Sequence, residues 1–135
     1  MSKRTDYTVT IAEASRELDT MDKLFITSGP DAVTVDEAIA DVDKLMLEID
    51  WFCVADIHNE HANDDKDYKT LYIMAKGGEV FKSSSNSLIT SLVDIDEVLK
   101  DDGKSISDVT IIISKRSSKN FTGKNFYRAS VARNN

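Results

Sequence analysis

Apolar and polar residues recur along this chain with two different periods, and the switches between them mark out its elements. Thr5–Ile11 places Tyr7, Val9 and Ile11 on one side, which predicts a strand. Leu24–Thr27 is short and apolar and predicts a second. Thr34-Val-Asp-Glu37 has the spacing of a helix capping box. Ala38, Ile39, Val42, Leu45 and Met46 follow at helical spacing, so a helix is expected over about Asp36–Leu47, with a strand continuing into the next segment as the competing reading. From Glu48 the period is two: Ile49, Trp51, Cys53, Ala55 and Ile57 alternate with Asp50, Phe52, Val54, Asp56 and His58. This predicts a long strand.

Polar residues from Asn59 to Asp67 predict a loop. Alternation resumes over Tyr68–Lys76 and ends at Gly77-Gly78, a hairpin signal, with Glu79–Ser83 as the return strand. Ser85 opens a helix whose apolar side carries Leu88, Ile89, Leu92, Val93, Ile95, Val98 and Leu99, and Gly103 ends it. Val109–Ser114 and Asn125–Ala132 predict the last two strands, joined by a loop over Ser117–Lys124. The expected fold is mainly β with two helices, in one domain. Residues 48–132 run β-β-β-α-β-β, the order of the five-stranded Greek-key barrel of the oligonucleotide-binding type, and residues 1–47 form a strand/helix extension. Such barrels also bind sugars and proteins, so the order alone does not fix a function.

Composition narrows the setting. A chain of 135 residues can bury a core without a disulfide, and the single cysteine, Cys53, allows no internal one. There is no apolar run of membrane-spanning length and no apolar signal stretch after the polar start, so a cytoplasmic protein with no membrane contact is expected. The net charge of −7 hides an asymmetry: residues 1–108 hold 24 acids and 11 bases, a balance of −13, while residues 109–135 hold six bases and no acid. That sorting predicts one basic face on an acidic body.

Chemistry concentrates at the C-terminal hairpin. Lys115, Arg116, Lys119, Lys124 and Arg128 are interleaved there with Phe121, Phe126 and Tyr127. Single-stranded bases stack on aromatic faces while lysine and arginine follow the phosphates. Phe126 and Arg128 should share the face opposite Tyr127; a solvated hairpin with Tyr127, Ala129 and Val131 in the core is the bland alternative. On the preceding hairpin Tyr72 and Lys76 share a face, Phe81 lies on the return strand and Lys82 points opposite to it; either face could be core. Trp51 aligns with the more apolar side of its strand, which leaves Phe52 as the candidate for exposure. His58 and His61 lie among carboxylates, but His-x-x-His in an acidic loop is weak, and neither a metal nor another cofactor is expected. No P-loop, G-x-S-x-G elbow or dinucleotide-binding glycine pattern is present, and Ser83–Ser87 reads as a helix cap, so a binding module rather than an enzyme is expected.

Two stretches carry a family resemblance. One is Leu71-Tyr-Ile-Met-Ala-Lys-Gly-Gly-Glu-Val-Phe-Lys-Ser-Ser-Ser85 running into Asn86-Ser-Leu-Ile-Thr-Ser-Leu92; the other is Val109-Thr-Ile-Ile-Ile-Ser-Lys-Arg-Ser-Ser118 with Gly123-Lys-Asn-Phe-Tyr-Arg-Ala-Ser-Val131. Over about Glu48–Ala132 the chain resembles the single-stranded-DNA-binding proteins of small tailed bacteriophages, including those with protein-primed genomes. The resemblance implies coating and protection of single-stranded DNA during phage replication, in the cytoplasm of the bacterial host. Phage replication proteins and self-association are its further possible partners. The loop 117–124 is longer than that family's usual turn, and the end of the chain lacks the acidic tail of cellular counterparts. The alternative is a protein-interaction module on the same barrel, an inhibitor or DNA-mimicking regulator of a host protein, motivated by the −13 of residues 1–108.

Overall fold

A computed structural model describes residues 7–28, 30–60, 67–117 and 125–132. Its elements are β1 (Tyr7–Ala14), α1 (Thr20–Thr27), β2 (Val33–Thr34), α2 (Val35–Ile39), β3 (Lys44–Asn59), β4 (Asp67–Ala75), β5 (Val80–Ser83), α3 (Asn86–Asp101), β6 (Thr110–Ser117) and β7 (Asn125–Val131). A 3-10 turn at Ile106–Asp108 links α3 to β6. The stretch from Glu48 to Ala132 holds β4 to β7 and most of β3, which begins earlier at Lys44, with α3 between β5 and β6.

Every other part of the sheet is hung on β3. Its first five residues pair with β6, from Lys44↔Ser114 to Glu48↔Thr110. From Ile49 onward it pairs with β4, and Cys53–Asn59 also pairs with β1. Bulges interrupt the ladder between Ile49 and Trp51 on β3 and between Ile11 and Glu13 on β1. Bulges bend and twist a strand, and the result is a strongly curled sheet, a half-barrel in the order β2-β5-β4-β3-β6-β7 with β1 branching from β3. Among the described residues the sheet has seven strands rather than five, because β1 and β2 of the N-terminal segment join it.

The curl does not close by strand pairing among the described residues. The parallel neighbour of β5 is β2, through Val33↔Phe81 and Thr34↔Lys82. The open edge of β7 is met by α3: the Ser87 hydroxyl donates to the Tyr127 carbonyl at 2.9 Å, and the Ala129 N–H donates to Ser91 Oγ at 2.9 Å. A helix thus satisfies backbone groups that a neighbouring strand would otherwise take.

Both faces of the central strands are covered. Phe52, Val54, Leu71, Ile73 and Phe81 face inward with Leu88, Ile89 and Leu92 of α3 and with Ile111 and Ile113 of β6. Trp51, Cys53, Ala55, Tyr72 and Met74 face outward beneath Ile26 of α1. Phe52 is therefore not an exposed base contact: it is 1% exposed and fully inside. A strand buried on both sides reads as an unbroken apolar run, and Trp51–Ala55 is one.

Three expectations along the first half need correction. The segment expected as a short strand is α1. Asp19 caps it, accepting from the Asp22 N–H at 2.8 Å while Asp22 accepts from the Asp19 N–H at 3.3 Å, a carboxylate version of the capping box. The helix expected to run to Leu47 ends at Ile39, although Thr34 caps it as its spacing predicted. Beyond it, Leu45, Leu47 and Ile49 turn inward while Met46 stays exposed, so the strand period holds back to Lys44 and pairing with β6 overrides the helical stripe. The described residues accordingly hold three α-helices, not two. At the other end of the chain the expected cap holds. Gly103 takes φ 72°, Lys104 N–H reaches the Leu99 carbonyl at 2.8 Å, and Gly103 N–H reaches that of Lys100 at 3.0 Å, a Schellman stop to α3.

Candidate functional site

The outward face of the sheet is built in rows fixed by register. Cys53, Tyr72 and Lys82 form one row across β3, β4 and β5; Ile57 and Tyr68 form another, with Thr70 between them. Because alternate residues share a face, the spacing Tyr68, Thr70, Tyr72 lines one side of β4. Gly78, at φ 97°, makes the tight turn that returns β5 alongside β4 and sets Lys82 against Tyr72.

At the end of these rows lies a cleft of ≈570 Å³. Tyr68, Thr70, Tyr72 and Lys82 form its sheet side, and Ser83, Ser84 and Ser85 run along it toward α3. Thr34 and Asp36 of the N-terminal segment and Tyr127 of β7 form the opposite side. The Tyr127 hydroxyl donates to Asp36 Oδ1, joining β7 to α2 across the opening of the half-barrel. Burial, and after it the Asp36 carboxylate, pushes Tyr127 up to about 12, so it stays a neutral donor at any physiological pH. Hydroxyls line the cleft: Thr70 Oγ1 and Ser84 Oγ lie 3.3 Å apart, and Ser85 caps α3 by accepting from the Leu88 N–H at 3.4 Å.

A second Tyr–Lys pair repeats the pattern on the C-terminal hairpin. Lys115 of β6 stands opposite Tyr127 of β7 in the ladder and is exposed on the same face. The other face of β7 carries Phe126 and Arg128, both exposed, as their alternation with Tyr127 predicted. They line a groove of ≈520 Å³ against α3, whose facing residues include Asn86, Thr90 and Asp94. Ala129 is buried and Tyr127 packs partly against the core.

The residues expected to contact a ligand therefore divide. Tyr72 and Lys82 line the cleft, with Tyr72 buried in its floor; Phe126 and Arg128 line the adjoining groove; Lys115 lines neither and stands exposed opposite Tyr127 in the ladder. Arg116 lies in β6 opposite Phe126. Phe52 and Phe81 belong to the inner core and offer no face to a ligand, because the inward side of this sheet is packed by α3. Lys76 is exposed but sits in the β4–β5 turn, where its Nζ donates to the Ser107 carbonyl at 2.6 Å and ties the hairpin to the 3-10 turn. Lys119, Phe121 and Lys124 lie outside the described residues. Sequence reasoning passed over Tyr68 and Asp36. Tyr68 was legible from its spacing to Tyr72, whereas nothing local marks Asp36, which comes from a distant segment.

His58 is not in the cleft. Its Nδ1 bonds to Asp67 and its Nε2 to Glu60, each at 2.6 Å, and these hydrogen bonds raise its pKa above the usual value. His61 lies outside the described residues. Among the described residues no set of three or more His, Cys, Asp or Glu side chains is placed to hold a metal ion, and no helix is long and apolar enough to cross a membrane. The chain matches no family model, no curated protein and no solved structure.

Proposed function

We propose that this chain binds single-stranded nucleic acid without sequence preference, on an oligonucleotide-binding type of half-barrel, and coats single-stranded DNA during phage replication. The observation that carries the reading is one cleft in which Tyr68, Tyr127 and Lys82 meet above a buried Tyr72, with Lys115 exposed opposite Tyr127 in the β6–β7 ladder. An aromatic face for a base beside a cation for its phosphate is the repeating unit of single-strand binding, and each stacked base contributes about 1–3 kcal/mol. Arg128 and Phe126 extend the same chemistry around the edge of β7. The strand order β3-β4-β5-α3-β6-β7 supports the barrel assignment, and the resemblance of residues 48–132 to phage single-stranded-DNA-binding proteins supports the setting. The acidic balance belongs to residues 1–108, while residues 109–135 hold six bases and no acid.

The test is a titration with oligo-dT followed by tryptophan and tyrosine fluorescence over a range of salt. With four to six phosphates contacted, the slope of log affinity against log salt is about −3 to −4. Lys82→Ala and Lys115→Ala should each reduce that slope by about 0.7. Absence of binding at low salt, or slopes unmoved by either substitution, contradicts the reading. One observation favours a protein partner instead: α1 turns Met21, Leu24 and Phe25 to solvent. Retention of a host protein after nuclease treatment, with no DNA retained, would support that alternative.

A further inference from the structure

The outward sheet face does not end at the cleft. Tyr72 lines the cleft and also belongs to the outer cluster of Trp51, Cys53 and Met74. The row Trp51–Met74–Val80 lies immediately beside the row Cys53–Tyr72–Lys82. One continuous surface therefore starts in the open cleft and runs beneath α1. It has the composition of a stacking platform, with an indole, a phenol and a thioether side by side.

The face is fully covered, but α1 contributes few side chains to the cover. Of the eight residues of α1, Ile26 alone is buried, while Met21, Leu24 and Phe25 on the same helix point away from the sheet. Leu18, just ahead of the helix, packs against the same cluster, and the rest of the fastening is polar. Arg16 lies over the Trp51 ring at 4.8 Å and bridges to Asp22 of α1 at 3.2 Å. Arg16 thus occupies the position over an indole that a base would take. An eight-residue helix is too short to be stable alone; the Asp19 cap, Ile26, Leu18 and the Arg16–Asp22 bridge hold it.

We infer that the face beneath α1 is a second binding surface for the unstacked bases of the same single strand, and that α1 is its displaceable cover. This rests on the single-strand reading above. When α1 lifts, the strand continues from the cleft at Tyr72 across Met74 onto Trp51, and Arg16 is released from the indole to meet phosphate. The bound form then needs a conformation that is only fractionally populated in the free chain, so apparent affinity scales with that fraction.

The test loosens the cover without touching the sheet. Asp19→Ala removes the N-cap, while Asp19→Asn removes the same charge and keeps a cap of equal quality. Loss of the cap should raise the open population roughly five-fold. Two independent readouts should move by that factor between D19A and D19N. One is the alkylation rate of Cys53, which is closed off under α1 and whose thiol burial pushes up to about 12. The other is the affinity for oligo-dT. Saturating oligo-dT should also quench Trp51, the only tryptophan. A general destabilisation would speed alkylation but would not tighten binding. If D19A and D19N bind oligo-dT equally, or Trp51 emission is unmoved at saturation, the cover is structural and the inference fails while single-strand binding stands. If no form binds oligo-dT, the parent reading fails and takes this inference with it.

Discussion

The edge of β7 offers a quantitative check on how this half-barrel is held shut. Ser91 on α3 accepts from the Ala129 N–H at 2.9 Å while its own hydroxyl donates to the Leu88 carbonyl at 3.0 Å. Ala129 is 4% exposed, so water does not readily replace the lost partner. Ser91→Ala leaves that buried donor unpaired, at a cost of about 1–3 kcal/mol. Alanine regains roughly 0.5 kcal/mol in helix propensity over serine. The net loss should be about 1–2 kcal/mol, which lowers a urea midpoint by roughly 0.5–1 M for an m-value in the ordinary range. Thr90→Ala, exposed one residue away on the same helix, should change stability by less than about 0.5 kcal/mol. Equilibrium urea unfolding of the three proteins, with unchanged m-values, decides the matter. If Ser91→Ala behaves like Thr90→Ala, then α3 does not replace a strand at this edge, and the account of closure is wrong.

Other outcomes follow from the placement of individual residues. Phe52→Ala should cost about 3–5 kcal/mol by emptying the inner core, with oligonucleotide affinity per folded molecule unchanged; an affinity loss at full stability would return Phe52 to the binding surface. The hydrogen bonds from His58 to Asp67 and Glu60 favour its protonated form, so its folded-state pKa lies above the unfolded value. Its stabilising contribution is full below about pH 6.5 and fades as pH rises through the raised folded value. A ring titration by NMR with a midpoint at or below the ordinary value would refute the pairing, and His58→Gln should flatten the stability profile across that window. Tyr127 should resist ionisation to about pH 12 in absorbance titrations, and Tyr127→Phe should remove that late-ionising group.

The sequence carried the second half of this fold well. From Glu48 onward, alternation, the Gly77-Gly78 turn and the stop at Gly103 all correspond to observed elements, because each rests on local backbone chemistry. The first half misled where tertiary pairing outweighed local pattern. Leu45 and Met46 continue the helical spacing, yet β6 supplies a partner for Lys44–Glu48 and that segment extends. The reading of Leu24–Thr27 went wrong for a different reason: an aspartate pair stood in for the usual serine–glutamate cap. At the site, the face of β4 carrying Tyr72 was legible only as one of two options. The choice between them depends on α3 filling the inner face, which no short window of sequence contains. The Asp36–Tyr127 contact joins residues 91 positions apart and was beyond any such reading.

The central claim is that a single strand lies across the Tyr–Lys cleft. An amide and side-chain NMR titration with oligo-dT tests it residue by residue. The account predicts the largest shifts at Tyr68, Tyr72, Lys82, Ser84 and Tyr127, weaker ones at Phe126 and Arg128, and none attributable to direct contact at Lys76 or Phe52. A spectrum unmoved at low salt, or shifts centred on the Lys76 turn with the cleft silent, would contradict it.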